Sequence, residues 1–162
     1  MPSETPAAIP PTEPPPTKTP RPTSLPFILQ PGAPAAGINF SHPELECGWF
    51  GVAGHVLGVD RDAVDGMLVE IRGDISGEPV QALAMTGTAP LYGPGGFEIE
   101  LGNTPVGTIG TLGIQVFDVS GEPVSEIYKF DTYAACDKNL VLITFIEAPD
   151  YIYRWFLPSV YE

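Results

Sequence analysis

Basic residues are scarce in this chain: seven Lys and Arg stand against twenty Asp and Glu. So acidic a surface repels phosphate backbones and anionic headgroups, which excludes nucleic acid and disfavours a charged membrane as partner. No run approaches the ~18 apolar residues of a membrane-crossing helix. Met1-Pro2-Ser3-Glu4-Thr5-Pro6 offers neither a basic n-region nor an apolar h-region, so no signal peptide is visible at this end. Histidine occurs twice, at His42 and His55, and cysteine twice, at Cys47 and Cys136. A zinc centre needs more ligands than two distant cysteines. There is no Gly-x-Ser-x-Gly elbow, HExxH, P-loop or Gly-x-Gly-x-x-Gly, so the motif-borne hydrolase, metalloprotease and nucleotide chemistries are not indicated.

Proline is plentiful but unevenly placed. Twelve of the 20 prolines fall in the first 34 residues. Proline fixes φ and donates no hydrogen bond, so residues 1–36 read as a disordered, Pro/Thr-rich stalk or linker of polyproline II character. Residues 37–148 are then the single folded domain, close to the usual size for one core. Residues 149–162 form an aromatic tail, in which Tyr151, Tyr153, Trp155 and Phe156 are candidate interaction residues. So apolar a tail is expected to add an edge strand to its own domain or to a neighbour's, giving self-association in the second case. Leu25-Pro26-Phe27-Ile28 is the expected pairing partner of Leu157-Pro158-Ser159-Val160.

Past Ala36 the chain is broken by Gly or Pro every few residues, which leaves almost no room for an amphipathic helix. Alternation takes its place. Met67, Val69 and Ile71 share one face, as do Phe97, Ile99 and Leu101, with Glu98 and Glu100 on the wet side. Leu112, Ile114 and Val116 repeat the pattern. Leu140–Ile146 is apolar on both faces, as a central strand requires. With segments near 48–59, 80–85 and 124–131, the spacing predicts a single antiparallel β-sandwich of about seven strands, all-β in class. Ser76-Gly77-Glu78-Pro79-Val80 recurs as Ser120-Gly121-Glu122-Pro123-Val124 and reads as a reused turn.

Gly51-Val52-Ala53-Gly54-His55-Val56, Asp60 and Asp65-Gly66-Met67-Leu68-Val69-Glu70-Ile71 resemble the opening strands of carboxypeptidase-regulatory-like (transthyretin-like) sandwich domains. Tyr92-Gly93-Pro94-Gly95-Gly96-Phe97-Glu98-Ile99 is similar to a later turn and strand of the same domains. The chain also resembles small secreted bacterial domains that follow Pro/Thr-rich stalks. That resemblance covers about residues 47–147 and implies a fold and an accessory, adhesive or structural role, with no shared active site.

An even cysteine count in a stalked, acidic domain points to a Cys47–Cys136 disulfide and to a secreted or cell-envelope location. The other reading of the pair is two buried thiols. Trp49, beside it, is expected in the core. Asp60, Asp62 and Asp65 form a polar loop that lacks EF-hand spacing but holds enough oxygens for an irregular Ca²⁺ site. Tyr92, between Pro90 and Gly93-Pro94, is the expected exposed loop aromatic and a candidate to stack on a sugar ring, alongside Trp49, Tyr133 and Trp155. His55 is expected to be packed or edge-facing, and His42 to lie in a linker. Glu98 and Glu100 read as a solvated face in preference to a carboxylate pair for catalysis. The expectation is therefore a non-enzymatic extracellular module, with no cofactor apart from that Ca²⁺, meeting a protein or glycan at a cell surface. Its alternative is a glycan-binding module using loop aromatics.

Overall fold

A computed structural model describes residues 25–149. They form nine strands: β1 (Phe27–Leu29), β2 (Ala35–Gly37), β3 (Phe50–Leu57), β4 (Leu68–Ile75), β5 (Glu78–Met85), β6 (Gly96–Gly102), β7 (Thr108–Phe117), β8 (Tyr128–Thr132) and β9 (Leu140–Glu147). The strands build two sheets. Sheet A has the order β1-β9-β3-β6, with β2 also on β9, and sheet B has the order β5-β4-β7-β8. The predicted all-β sandwich is the observed fold.

Alternation places the core as the sequence led one to expect. Val52, Phe97, Ile99, Val141, Ile143 and Phe145 of sheet A face Val69, Ile71, Leu112, Ile114, Val116 and Phe130 of sheet B in one buried cluster. Removing such side chains from water is the main stabilising contribution, about 1.5–3 kcal/mol for each fully buried aliphatic or Phe. A second, smaller cluster lies on the opposite face of sheet A: Trp49, Ala53, Tyr92 and Leu140. It exists because the loop before β3 folds back across that face.

Three expectations change. The expected boundary at residue 36 moves earlier, because β1 and β2 already pair with β9 and Phe27 is buried in the core. These strands are three residues each, too short to show alternation among the prolines, and they raise the count above seven. Phe27–Leu29 pairs with Phe145–Glu147; the expected partner at 157–160, with Tyr151, Tyr153, Trp155 and Phe156, lies outside the described residues. The sheets are also not wholly antiparallel: β3 and β9 run parallel over seven register pairs, Gly51↔Leu140 to Leu57↔Ile146. Such a pair needs cover on both sides, and the two-faced apolar character of β9 supplies it.

The repeated Ser-Gly-Glu-Pro-Val forms two different turns. At Ser76-Gly77 both residues take positive φ, 55° and 87°, in a two-residue hairpin between β4 and β5. At the second copy only Gly121 is positive, and the Asp118 carboxylate accepts hydrogen bonds from the Ser120 and Glu122 amides and the Ser120 hydroxyl. An aspartate stands two residues before each copy, and Asp74 likewise accepts from the Gly77 amide at 2.7 Å, so the same local residues close two different turns.

Backbone approach is tightest where β3 meets β9. A methyl group at Gly54 would sit 1.8 Å from the Ile143 carbonyl oxygen, whereas one at Gly37 would meet nothing within 4 Å. Gly54→Ala should therefore lower unfolding free energy by about 3 kcal/mol or prevent folding, as overpacking against backbone does. Gly37→Ala should change it by less than about 0.5 kcal/mol. Urea denaturation of the two variants checks this contrast.

Candidate functional site

The loop from Ile38 to Trp49 is held at both ends, and its polar side chains converge on one carboxylate. At the far end Cys47 and Cys136 form the disulfide, with Cα atoms 5.0 Å apart across 89 residues of sequence. Closing a loop that long restricts the unfolded chain by about 4–5 kcal/mol in the chain-entropy account. Asn139, three residues past Cys136 and almost fully buried, completes the attachment. Its Oδ1 accepts from the Asn39 amide at 2.8 Å, and its Nδ2 donates to the Glu46 and Trp49 carbonyls at 2.9 Å each. Its own carbonyl accepts from the Gly51 amide at 3.0 Å. Trp49 is buried as expected, its indole lying over Gly51, where any Cβ would collide with the ring.

At the near end the loop descends onto β6. The Glu98 Oε1 accepts from His42 Nε2 at 2.7 Å. Its Oε2 accepts from the Tyr92 hydroxyl at 2.5 Å and lies 2.8 Å from Ser41 Oγ. The Asn39 Oδ1 gathers the amides of Ser41 and His42 at 3.0 and 3.1 Å, which shapes the loop to present both side chains. His55 Nδ1 donates to the Tyr92 carbonyl at 3.0 Å and holds the Pro90–Tyr92 turn from below. Glu98 is therefore not a solvated strand face, whereas Glu100, two residues on, is exposed.

The protonation states follow from this geometry. Burial pushes the Glu98 carboxyl up, but hydrogen bonds from Tyr92, His42 and Ser41 and the charge on His42 outweigh it, so the group titrates below its ordinary value. The hydrogen bond to Glu98 raises His42 above its ordinary value, helped by the charges of Glu98, Glu44 and Glu100 against a smaller desolvation cost. Burial, then the Glu98 hydrogen bond, lifts the Tyr92 hydroxyl well above its normal range, so it stays protonated.

Several sequence-derived candidates land elsewhere. Tyr92 is 9 % exposed and packs on Trp49 and Ala53, so the expected exposed aromatic is a buried one. Its flanking Pro and Gly mark a loop, but this loop is folded down over sheet A. The exposed ring here is Phe40, 52 % accessible, tilted on Tyr92 with centroids 5.2 Å apart and accompanied by Leu91 at 72 %. Asp60, Asp62 and Asp65 do not converge: Asp62 lies against Gly58 and Asp65 against Gly87. Among the described residues no group of three His, Cys, Asp or Glu is placed to hold a metal ion. Asn139 and the Ser41–His42–Glu98 contact were not singled out from sequence; the one available signal was an Asn three residues past the second cysteine.

Chemically, the cluster is a clamp whose groups already partner one another. The Ser41 oxygen contacts Asn39, Tyr92 and Glu98 and no imidazole, so the serine–histidine bond of a nucleophilic triad is missing. A carboxylate titrating below normal is also a poor general base near neutral pH. Compared with protein-family models, with curated proteins and with solved structures, the chain matches none.

The His42–Glu98 pair gives a pH signature. The raised His42 contributes stability that is complete below its unfolded value of 6.5 and fades as pH rises through its folded value. The lowered Glu98 contributes above its unfolded 4.5 and fades as pH falls through its folded value. Thermal midpoints should therefore be highest between about pH 4.5 and 6.5, and His42→Ala should flatten the decline from pH 6 to 8. Asn139→Ala, which strands an amide and two carbonyls, should cost about 3 kcal/mol in chemical denaturation, since each unpaired buried group costs about 1–3 kcal/mol.

Proposed function

We propose that this chain is a non-catalytic module of an extracellular or cell-envelope protein, a β-sandwich with a structural, adhesive or protein-contact role that follows a Pro/Thr-rich segment. The observation that carries this reading is the disulfide. The only two cysteines of the chain are joined across 89 residues, and such a bond persists in oxidising compartments and is rare where glutathione keeps thiols reduced. The clamp at Glu98 supports the non-catalytic part, since its hydroxyl, imidazole and carboxylate are engaged in holding the loop. The contact role draws on Phe40, an exposed ring seated on Tyr92, and on Leu91, the exposed residue before Tyr92 in the Pro90–Tyr92 turn, where a rigid support lowers the entropy lost on docking. The resemblance to carboxypeptidase-regulatory-like domains points the same way.

Protein fractionated from its native source under a thiol-blocking reagent tests the compartment. The expected outcome is an envelope or secreted fraction in which Cys47 and Cys136 resist alkylation until reductant is added. Cytoplasmic protein with both thiols labelled would remove the reading. For the contact role, Phe40→Ala should lower retention of the purified domain on its own cells about fivefold or more with an unchanged thermal midpoint, as loss of an aromatic anchor does. Unchanged retention would count against it.

A further inference from the structure

Sheet A is covered by the loop and by the Pro90–Tyr92 turn, but among the described residues nothing crosses the outer face of sheet B. Val69, Ile71, Leu112, Ile114 and Phe130 point into the core, so Glu70, Arg72, Gly113, Gln115 and Lys129 point out. Two glycines, Gly73 on β4 and Gly113 on β7, leave a depression there of about 200 Å³. The Ile127 Cγ2 and the Lys129 Nζ overhang it, 2.8 and 3.7 Å from where a Gly113 side chain would begin.

Glu70 is the unusual group in this wall. It faces outward yet is only 5 % exposed. Its Oε1 accepts from Gln81 Nε2 at 2.6 Å and from Arg72 Nε at 2.7 Å. Among the described residues no donor reaches Oε2. No buried side-chain oxygen among the described residues lacks a partner, so this oxygen is open to water or to a guest in the depression it lines. The Gln115 Nε2 is committed to the Ser125 carbonyl at 2.9 Å, which leaves its side-chain oxygen as a second acceptor. Lys129 makes no ion pair among the described residues and brings three donors.

Acceptors, donors and one apolar wall thus share a single small pocket. We propose that it binds one ring of a neutral saccharide. Two ring hydroxyls would donate to Glu70 Oε2 and the Gln115 side-chain oxygen, a third would accept from Lys129, and the ring's C–H face would lie against Ile127. Charge selects a neutral guest. Arg72 and Lys129 oppose a cation, while Glu70 and the net charge of −13 oppose an anion. Size selects a single ring, since sites for larger ligands run to about 300–1,000 Å³. This pocket is on the sheet opposite Phe40 and does not depend on the contact role argued for that residue.

The test is a ¹⁵N–¹H titration of the full chain with cellotetraose, maltotetraose and chitotetraose, with tetragalacturonate as the charged control. At least one neutral tetramer should shift the amides of Arg72, Gly73, Gly113 and Gln115. Lys129→Ala, an exposed position whose loss leaves the fold intact, should weaken that binding by about tenfold, the usual effect of removing a charged hydrogen bond. Binding of the galacturonate alone, shifts confined to Phe40 and Leu91, or no shift with any neutral tetramer would each overturn the proposal. Shifts at Phe40 would at the same time support a sugar site on the loop, and their absence would leave the compartment and contact readings untouched.

Discussion

The amide side chain of Asn139 holds the Ile38–Trp49 loop to the body of the sandwich at three points, and the Cys47–Cys136 bond closes the same corner covalently. Everything on the outer face of sheet A follows from that attachment. A loop of this length left to itself would lose conformational entropy of about 1–2 kcal/mol per ordered residue with little apolar burial in return. Anchored at Asn139 it needs only to be laid down, and Trp49 then covers Ala53 and Leu140 while Asn39 turns Ser41 and His42 toward β6. The parallel β3–β9 pair is the floor beneath, and its register brings Gly51 beside Leu140, next to Asn139.

The two outer faces of the sandwich have been resolved in opposite ways. On sheet A a carboxylate, Glu98, is sealed by a loop that brings a hydroxyl, a phenol and an imidazole to it. On sheet B another carboxylate, Glu70, holds Gln81 and Arg72 through one oxygen and lines an open depression with the rest of its side chain. The first arrangement uses polar chemistry for rigidity, the second leaves it for something outside the chain. A folded module can carry both, since the core between the sheets separates them.

The sequence was most legible where one physical pattern acts alone. Period-two alternation placed Val69 and Ile71, Phe97 and Ile99, and Leu112, Ile114 and Val116 on the core side, and all are buried. The doubly apolar β9 lies between β1 and β3. The cysteine pair and buried Trp49 agree as well. Legibility failed where a loop lands on a strand. Alternation says that Glu98 points outward, but not that Ser41 and His42, more than 50 residues earlier, will cover it. Flanking Pro and Gly mark Tyr92 as a loop residue without revealing that the loop folds inward. Asn139 gave no signal beyond its place three residues after Cys136, because a buried amide is recognised by its partners, and those come from Asn39, Glu46 and Trp49.

Native-state hydrogen exchange, compared before and after reduction of the disulfide, bears most directly on this account. If the corner at Cys47, Cys136 and Asn139 secures the loop, reduction should expose the amides of Asn39, Ser41, His42 and Gly51 to fast exchange while those of β4 and β7 stay protected. Equal protection of the loop amides in the oxidised and reduced protein would contradict it.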